Sequence, residues 1–244
     1  MKLIKEIRGM KPKPLFMVFI LHLAILIVFL ILGGAFSFFV LPNKNLFNPV
    51  LAILTVLAYF LLLVLAYSFF KVWIIEAVND KKVTKKSFDK IGGFFLFNIT
   101  AIILGLVAFA LVGSFISYSF SSSLIAIGIF AAIFLIFYYP FLALSQFAFV
   151  KENKIFRSMK QGWRILFSNI TNYLKILLFD VIIFAVYILV FFLLGSLYKI
   201  IFITNNQNTD IPIAVYNWIF VLVGAIVALV ILSINIFLLR KLKE

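Results

Sequence analysis

Two ionisable side chains lie inside long apolar segments, where a charge is costly and commonly serves a function. His22 is the only histidine of the chain, and Asp180 lies within the segment LFDVIIFAVYILVFFLLG. Counted from the start of each apolar segment, His22 is about 12 Å deep and Asp180 about 14 Å deep from the same side, at the rise of a helix. A contact between them could carry a proton or gate a polar path, and it could equally be a structural pair. Both residues are therefore candidates for function.

Two more residues of the apolar segments are candidates. Gln146 can hydrogen-bond to a neighbouring helix, which is an ordinary packing role. Pro140 has no backbone N–H, so it predicts a kink and a freed carbonyl in its helix. Kinks of this kind can line cavities, although most only shape the helix.

Enzymatic chemistry finds little support in the residue types. A metal site needs clustered His, Cys or carboxylates, and the chain has one His and no Cys. A phosphate-binding loop of the type GxxxxGK is absent from the sequence. Glu76, Asp80 and Glu152 could act on a lipid head group at the membrane surface, but Glu76 and Asp80 are more simply read as solvated partners of nearby lysines. We therefore expect no catalytic residue, no metal and no cofactor.

Composition places the chain among integral membrane proteins. Hydrophobic residues make up 66% of the 244 residues and charged residues 12%, whereas a soluble domain is about half apolar. A helix needs about 20 apolar residues to cross the hydrocarbon core, and the segments are apolar on every face, unlike the alternating strands of a barrel. We predict an all-α membrane protein, a single polytopic domain over 1–244 with six transmembrane helices at 14–40, 50–75, 95–118, 124–149, 172–201 and 213–239.

The basic residues predict the orientation of this bundle. All but two of the 22 Lys and Arg residues fall on one side of a path of six alternating spans: in both terminal tails, in the connection from Lys71 to Lys90, and in the connection from Lys151 to Lys175. Such an excess marks cytoplasmic segments, so we expect both termini in the cytoplasm and the protein in the cell membrane. The net charge of +14 follows the membrane borders, which indicates anionic lipids rather than nucleic acid as partners.

The two basic connections resemble each other at an offset of 71 residues. The tripeptide NIT recurs at 98–100 and 169–171, through duplication or through a shared role at the membrane border. Each connection is predicted to form an amphipathic helix on the cytoplasmic surface, at about 83–94 and 154–168. In the second, Ile155, Met159, Trp163 and Leu166 share one face. Interfacial lipid contacts are expected from Lys85, Lys86, Arg157, Lys160, Trp163 and Arg164.

A family resemblance extends over about 35 residues, PFLALSQFAFVKENKIFRSMKQGWRILFSNITNYL. The positions of Pro140, Glu152, Ser158, Trp163 and Asn169 resemble the pattern of prokaryotic six-span proteins related to the membrane domain of glycerophosphodiester phosphodiesterases, with Gly162 where those proteins have Ser. The resemblance implies a six-span architecture and a membrane location. Enzymes of that family carry their chemistry in a separate soluble domain that this sequence does not contain, so it implies no catalytic residue.

Three classes of function follow from these features. The first is a non-enzymatic membrane module that binds lipid or a partner protein from its cytoplasmic face, with homo-oligomerisation as a further possibility for the partner. A small transporter or channel that uses Asp180 and His22 is the alternative. An accessory enzyme acting on lipid head groups is the third.

Overall fold

The structure is a computed structural model that describes residues 10–40, 49–79, 85–119, 124–203 and 210–243. Its described residues form helices and contain no strand. We number the helices in chain order: α1 Pro12–Val40, α2 Pro49–Val78, α3 Lys85–Asp89, α4 Ile91–Ser119, α5 Leu124–Glu152, α6 Ile155–Ser168, α7 Ile170–Ile203 and α8 Asp210–Lys243.

Six of these helices are long and apolar enough to cross a membrane. They are α1, α2, α4, α5, α7 and α8, and each predicted span lies within one of them. The prediction of an all-α membrane bundle is confirmed, and the chain is a multi-pass membrane protein. The helices contain 29 to 34 residues, so at about 1.5 Å per residue they exceed the ~30 Å hydrocarbon core by roughly 13 Å or more.

The two predicted surface helices differ from each other in the structure. The second is α6, with the expected bounds to within one residue of its start. The first is only the five-residue α3, and Ile91 and Phe94 belong to the long helix α4 that follows. Phe94 and Phe97 are fully buried, so both lie on the face of α4 that points into the bundle. The first connection therefore has too few apolar residues left to build a surface helix of its own.

The buried core lies at one end of the bundle, around α6. Its largest fully buried side chains include Phe94, Phe97, Leu144, Leu166 and Ile236. We call this region the α6 end, defined by the buried residues of 18–22, 64–78, 94–101, 141–149 and 231–239. The opposite halves of the long helices carry exposed apolar side chains, as expected of helix faces that meet lipid.

Helix α6 packs closely against the last turns of α5, and this is the most extensive helix pair of the bundle. Its buried residues are Ser158, Met159, Gly162 and Leu166. The buried face therefore centres on Gly162, and Trp163 is 39% exposed at its edge. The reason is that a glycine lets the backbones approach: a Cβ at Gly162 would lie 2.9 Å from the backbone N of Ser145.

Candidate functional site

The two ionisable residues predicted from the sequence both bind helix α8, at different places. His22 Nδ1 lies 3.2 Å from Ser233 Oγ, and Asn235 Nδ2 donates to Asp180 Oδ2 over 2.7 Å. Ser233 and Asn235 are two positions apart, which is about 200° around a helix. His22 and Asp180 therefore meet opposite sides of α8, and they form no hydrogen bond or ion pair with each other.

Asp180 lines a cavity of about 480 Å³ between α5, α7 and α8. The other polar residues of its wall are Tyr139, Tyr173 and Asn235, and the remaining wall is apolar. Tyr173 donates its hydroxyl to the carbonyl of Ile136. That carbonyl precedes Pro140 by four residues and is the one that the proline leaves without its helical donor, so the freed group predicted from the sequence is satisfied by a residue of α7.

A second cavity of about 510 Å³ lies between α4, α5 and α6. We call it the α6 groove. Its wall is almost wholly apolar and runs from Phe130 to Phe141 on α5 and from Ala101 to Ala108 on α4. Helix α6 contributes three residues, which are Phe156, Met159 and Trp163.

Trp163 closes the groove at the α6 end. Its ring stacks on Phe141, with centroids 4.5 Å apart, and on Phe167 at 5.2 Å. Phe156, Lys160 and Trp163 follow at intervals of four and three residues, so Lys160 lies between two groove residues on the helix surface. Arg164 is one turn further along the same side, and both basic side chains are exposed. The groove thus has an apolar wall and a basic rim.

The other predicted lipid-contact residues have different surroundings. Arg157 Nε lies 3.2 Å from Glu152 Oε2, and the Arg157 side chain is 70% exposed. Lys85 and Lys86 open α3, and their side chains lie outside the residues whose surroundings are described. The members of this set whose side chains are described all lie on α6.

A hydrogen-bonded chain crosses the α6 end, and it contains Gln146, which was predicted to bond to a neighbouring helix. Gln146 Nε2 donates to Asn98 Oδ1 over 2.8 Å, and Asn98 Nδ2 donates to Ser68 Oγ over 2.8 Å. Gln146 Nε2 also lies 3.2 Å from the hydroxyl of Tyr67. Three helices, α2, α4 and α5, are joined by these bonds. The repeated NIT tripeptide contains Asn98 and was the one signal that could have identified it.

The burial of Lys71 was not predicted from the sequence. The charge pattern places Lys71 in the basic connection, whereas the structure places it within α2, where it is 2% exposed. Its ammonium is 5.8 Å from the ring centroid of Tyr67, and it is an electrostatic neighbour of His22. Within the described ranges no carboxylate forms an ion pair with Lys71. The ring of Tyr67 is therefore the described group that stabilises the ammonium, through a cation–π contact.

The carboxylates considered for head-group chemistry have structural partners. Glu76 is 5% exposed, accepts a hydrogen bond from Ser87 and lies 3.6 Å from Lys90 Nζ. This joins α2 to α3 and to the start of α4. Asp80 lies outside the described residues. In the part of the chain that the structure describes, no three His, Cys, Asp or Glu residues group as metal ligands.

Comparison of the chain with protein families, with curated proteins and with solved structures gave no match.

Proposed function

We propose that the protein is a non-enzymatic membrane module that binds an anionic phospholipid, with one acyl chain in the α6 groove and the phosphate at the basic rim. The observation that carries this proposal is the position of Lys160 beside an apolar groove of about 510 Å³. Apolar cavities of this size are typical of small-ligand sites.

The length of the groove fits one leaflet of a bilayer. Phe130 and Phe141 line it, and the eleven residues between these levels of α5 span about 16 Å by helical rise. That is close to half of the ~30 Å hydrocarbon core. An acyl chain that starts at the rim would therefore reach about the middle of the membrane.

The residues of the rim fit a phosphate at the membrane border. Trp163 is an amphipathic ring of the kind enriched at such borders, and Lys160 and Arg164 are exposed beside it. Each basic residue near an anionic surface contributes about 1 kcal/mol of attraction. Two such residues at one groove would favour an anionic over a zwitterionic lipid.

The proposal includes the orientation expected from the charge pattern. The α6 end would face the cytoplasm, with both termini on that side and the protein in the cell membrane, so the bound lipid would come from the inner leaflet. A partner membrane protein or a second copy of the chain is the other occupant that this surface could take.

Lipid retention measured by native mass spectrometry tests the proposal. The protein is reconstituted with equal amounts of phosphatidylglycerol and phosphatidylcholine, and the bound ratio is compared with that of K160A/R164A. At about 1 kcal/mol per basic residue, the double variant should lower the preference for phosphatidylglycerol about 30-fold.

Two further variants separate the groove from general surface charge. K151A/K175A removes the same number of exposed basic residues from α5 and α7, and it should lower the preference for phosphatidylglycerol less than K160A/R164A does, because neither residue lies next to a groove residue on α6. A108W places a large ring in the groove and should reduce lipid retention at unchanged charge. Equal losses in the two charge variants, or full retention in A108W, would contradict the proposal.

The contacts of the other candidate residues favour this function over its alternatives. A transporter that uses Asp180 and His22 as a pair would need them in contact, and they bind different residues of α8. An enzyme acting on head groups would need a free carboxylate, whereas Glu76 and Glu152 have basic partners.

A further inference from the structure

We propose that the cavity around Asp180 is a second binding site, for a membrane-soluble amphipathic molecule that carries a primary ammonium group on an apolar body. It is separate from the α6 groove, because it lies between α5, α7 and α8. It does not depend on the proposed lipid module.

The polar part of this site consists of three residues on three helices. Tyr139, Asp180 and Asn235 all line the cavity. Each has a buried oxygen without a hydrogen-bond partner among the described residues, namely the Tyr139 hydroxyl, Asp180 Oδ1 and Asn235 Oδ1. A primary ammonium has three N–H donors, so it has as many donors as there are unpartnered oxygens.

Charge supports a cationic head group. Asp180 accepts a hydrogen bond from Asn235, and no basic side chain of the described ranges forms an ion pair with it. A carboxylate within the apolar part of a membrane is stabilised by a nearby cation. Tyr139 and Tyr173 also lie close enough to Asp180 to interact with its charge. Neither tyrosine carries a positive charge that could balance the carboxylate.

The rest of the wall fits an apolar body. Ile176, Phe184, Ala228 and Leu232 are among the lining residues, and the volume of about 480 Å³ is within the range of small-molecule sites. Site and ligand would therefore match in charge, in hydrogen-bond donors and in polarity.

The depth of Asp180 argues against a phospholipid head group as the source of the ammonium. Asp180 is ten residues after Ile170, the first residue of α7, and so about 15 Å along the helix axis. A head group with its phosphate would have to leave the membrane border and enter the hydrocarbon core. A free amine takes only one charge to that depth, and the carboxylate neutralises it.

Binding of three probes with one tail length tests this site in nanodiscs. The probes are octylamine, octyltrimethylammonium and octanol, titrated by calorimetry into wild type and into D180N. Octylamine should bind wild type at least tenfold more tightly than D180N, because a charge-assisted hydrogen bond is lost. The alcohol should show no such difference, and the quaternary ammonium should show a smaller one, because it keeps the positive charge but has no N–H donor. Comparing the two proteins cancels simple partitioning into the bilayer.

A cavity-filling variant keeps the test valid if D180N folds poorly. A228F retains the Asp180 and Asn235 pair and fills the space for the tail, so it should lose octylamine binding. Octylamine that binds wild type, D180N and A228F equally, or no more tightly than the quaternary ammonium, overturns the proposal. K160A/R164A should bind octylamine like wild type, which separates this result from that of the lipid module.

Discussion

Replacement of Gly162 by alanine tests how α6 is held against the bundle. The added Cβ would lie 2.9 Å from the backbone N and 3.0 Å from the Cα of Ser145. The Ser145 hydroxyl is also in the way, but it is buried without a hydrogen-bond partner among the described residues and can rotate. The backbone of α5 cannot move so easily, so α6 must shift away from it.

The expected cost follows from two opposing effects. Overpacking in a close contact costs about 1–3 kcal/mol, and backbone atoms on the other side favour the upper part of that range. Alanine in place of glycine inside a helix returns about 1 kcal/mol. We therefore expect G162A to lower the free energy of unfolding by about 1–2 kcal/mol.

The assay is reversible unfolding in mixed micelles, followed by circular dichroism, with G34A as the matched control. Gly34 lies inside α1, and a Cβ there would meet nothing within 4 Å, so G34A should be neutral or gain up to about 1 kcal/mol. Because Met159 and Trp163 line the α6 groove, G162A should also reduce lipid retention. If G162A is as stable as G34A, the close packing of α6 on α5 would be refuted.

Two further predictions concern the polar contacts of the α6 end. N98A removes the residue that bonds both Ser68 and Gln146 and should cost about 1–3 kcal/mol in the same unfolding assay. T100A removes only a bond to a carbonyl of its own helix and should cost less than about 0.5 kcal/mol; equal effects of the two would contradict the interhelical role. E76A should cost about 1–3 kcal/mol because its carboxylate is buried with its partners, whereas E152A removes a pair whose cation, Arg157, is 70% exposed, and it should cost less than about 1 kcal/mol. The same cost for E76A and E152A would show that burial does not set the strength of these pairs.

The spans could be predicted because hydrophobic length is a property of the chain alone. Each long apolar segment became one helix, and α6 was recognised from the spacing of Met159 and Leu166, both buried. The packing of α6 was harder to predict, since its apolar face was expected to lie among lipid and the structure buries Met159 and Leu166 of that face. The sequence does not show that Gly162 allows a closer approach than Trp163 can.

The partners of the polar residues could not be predicted for a different reason. Helices that are apolar on every face carry no periodic signal of which side faces inward. Depth along the helix placed His22 and Asp180 at a similar level, but it left the rotation of each helix and the identity of its neighbours undefined. Those two quantities decide that His22 meets Ser233 and that Asp180 meets Asn235.

The distribution of interhelical contacts bears on how both proposed sites would select a ligand. Apolar side chains gain little by leaving lipid for one another, so close approach and hydrogen bonds hold membrane helices together. Here hydrogen bonds join the helices mainly at the α6 end. Farther from that end, helices α4 and α5 meet through aromatic contacts such as Phe109 with Phe130, whose ring centroids are 5.2 Å apart. At the Asp180 cavity Asn235 holds Asp180 by a hydrogen bond, and at the α6 groove Trp163 stacks on Phe141, while most other lining residues are apolar. Side chains that are already held need little reorganisation on binding, and an apolar wall makes no directional contacts with a tail. Each site should therefore discriminate between ligands by head group more strongly than by tail length.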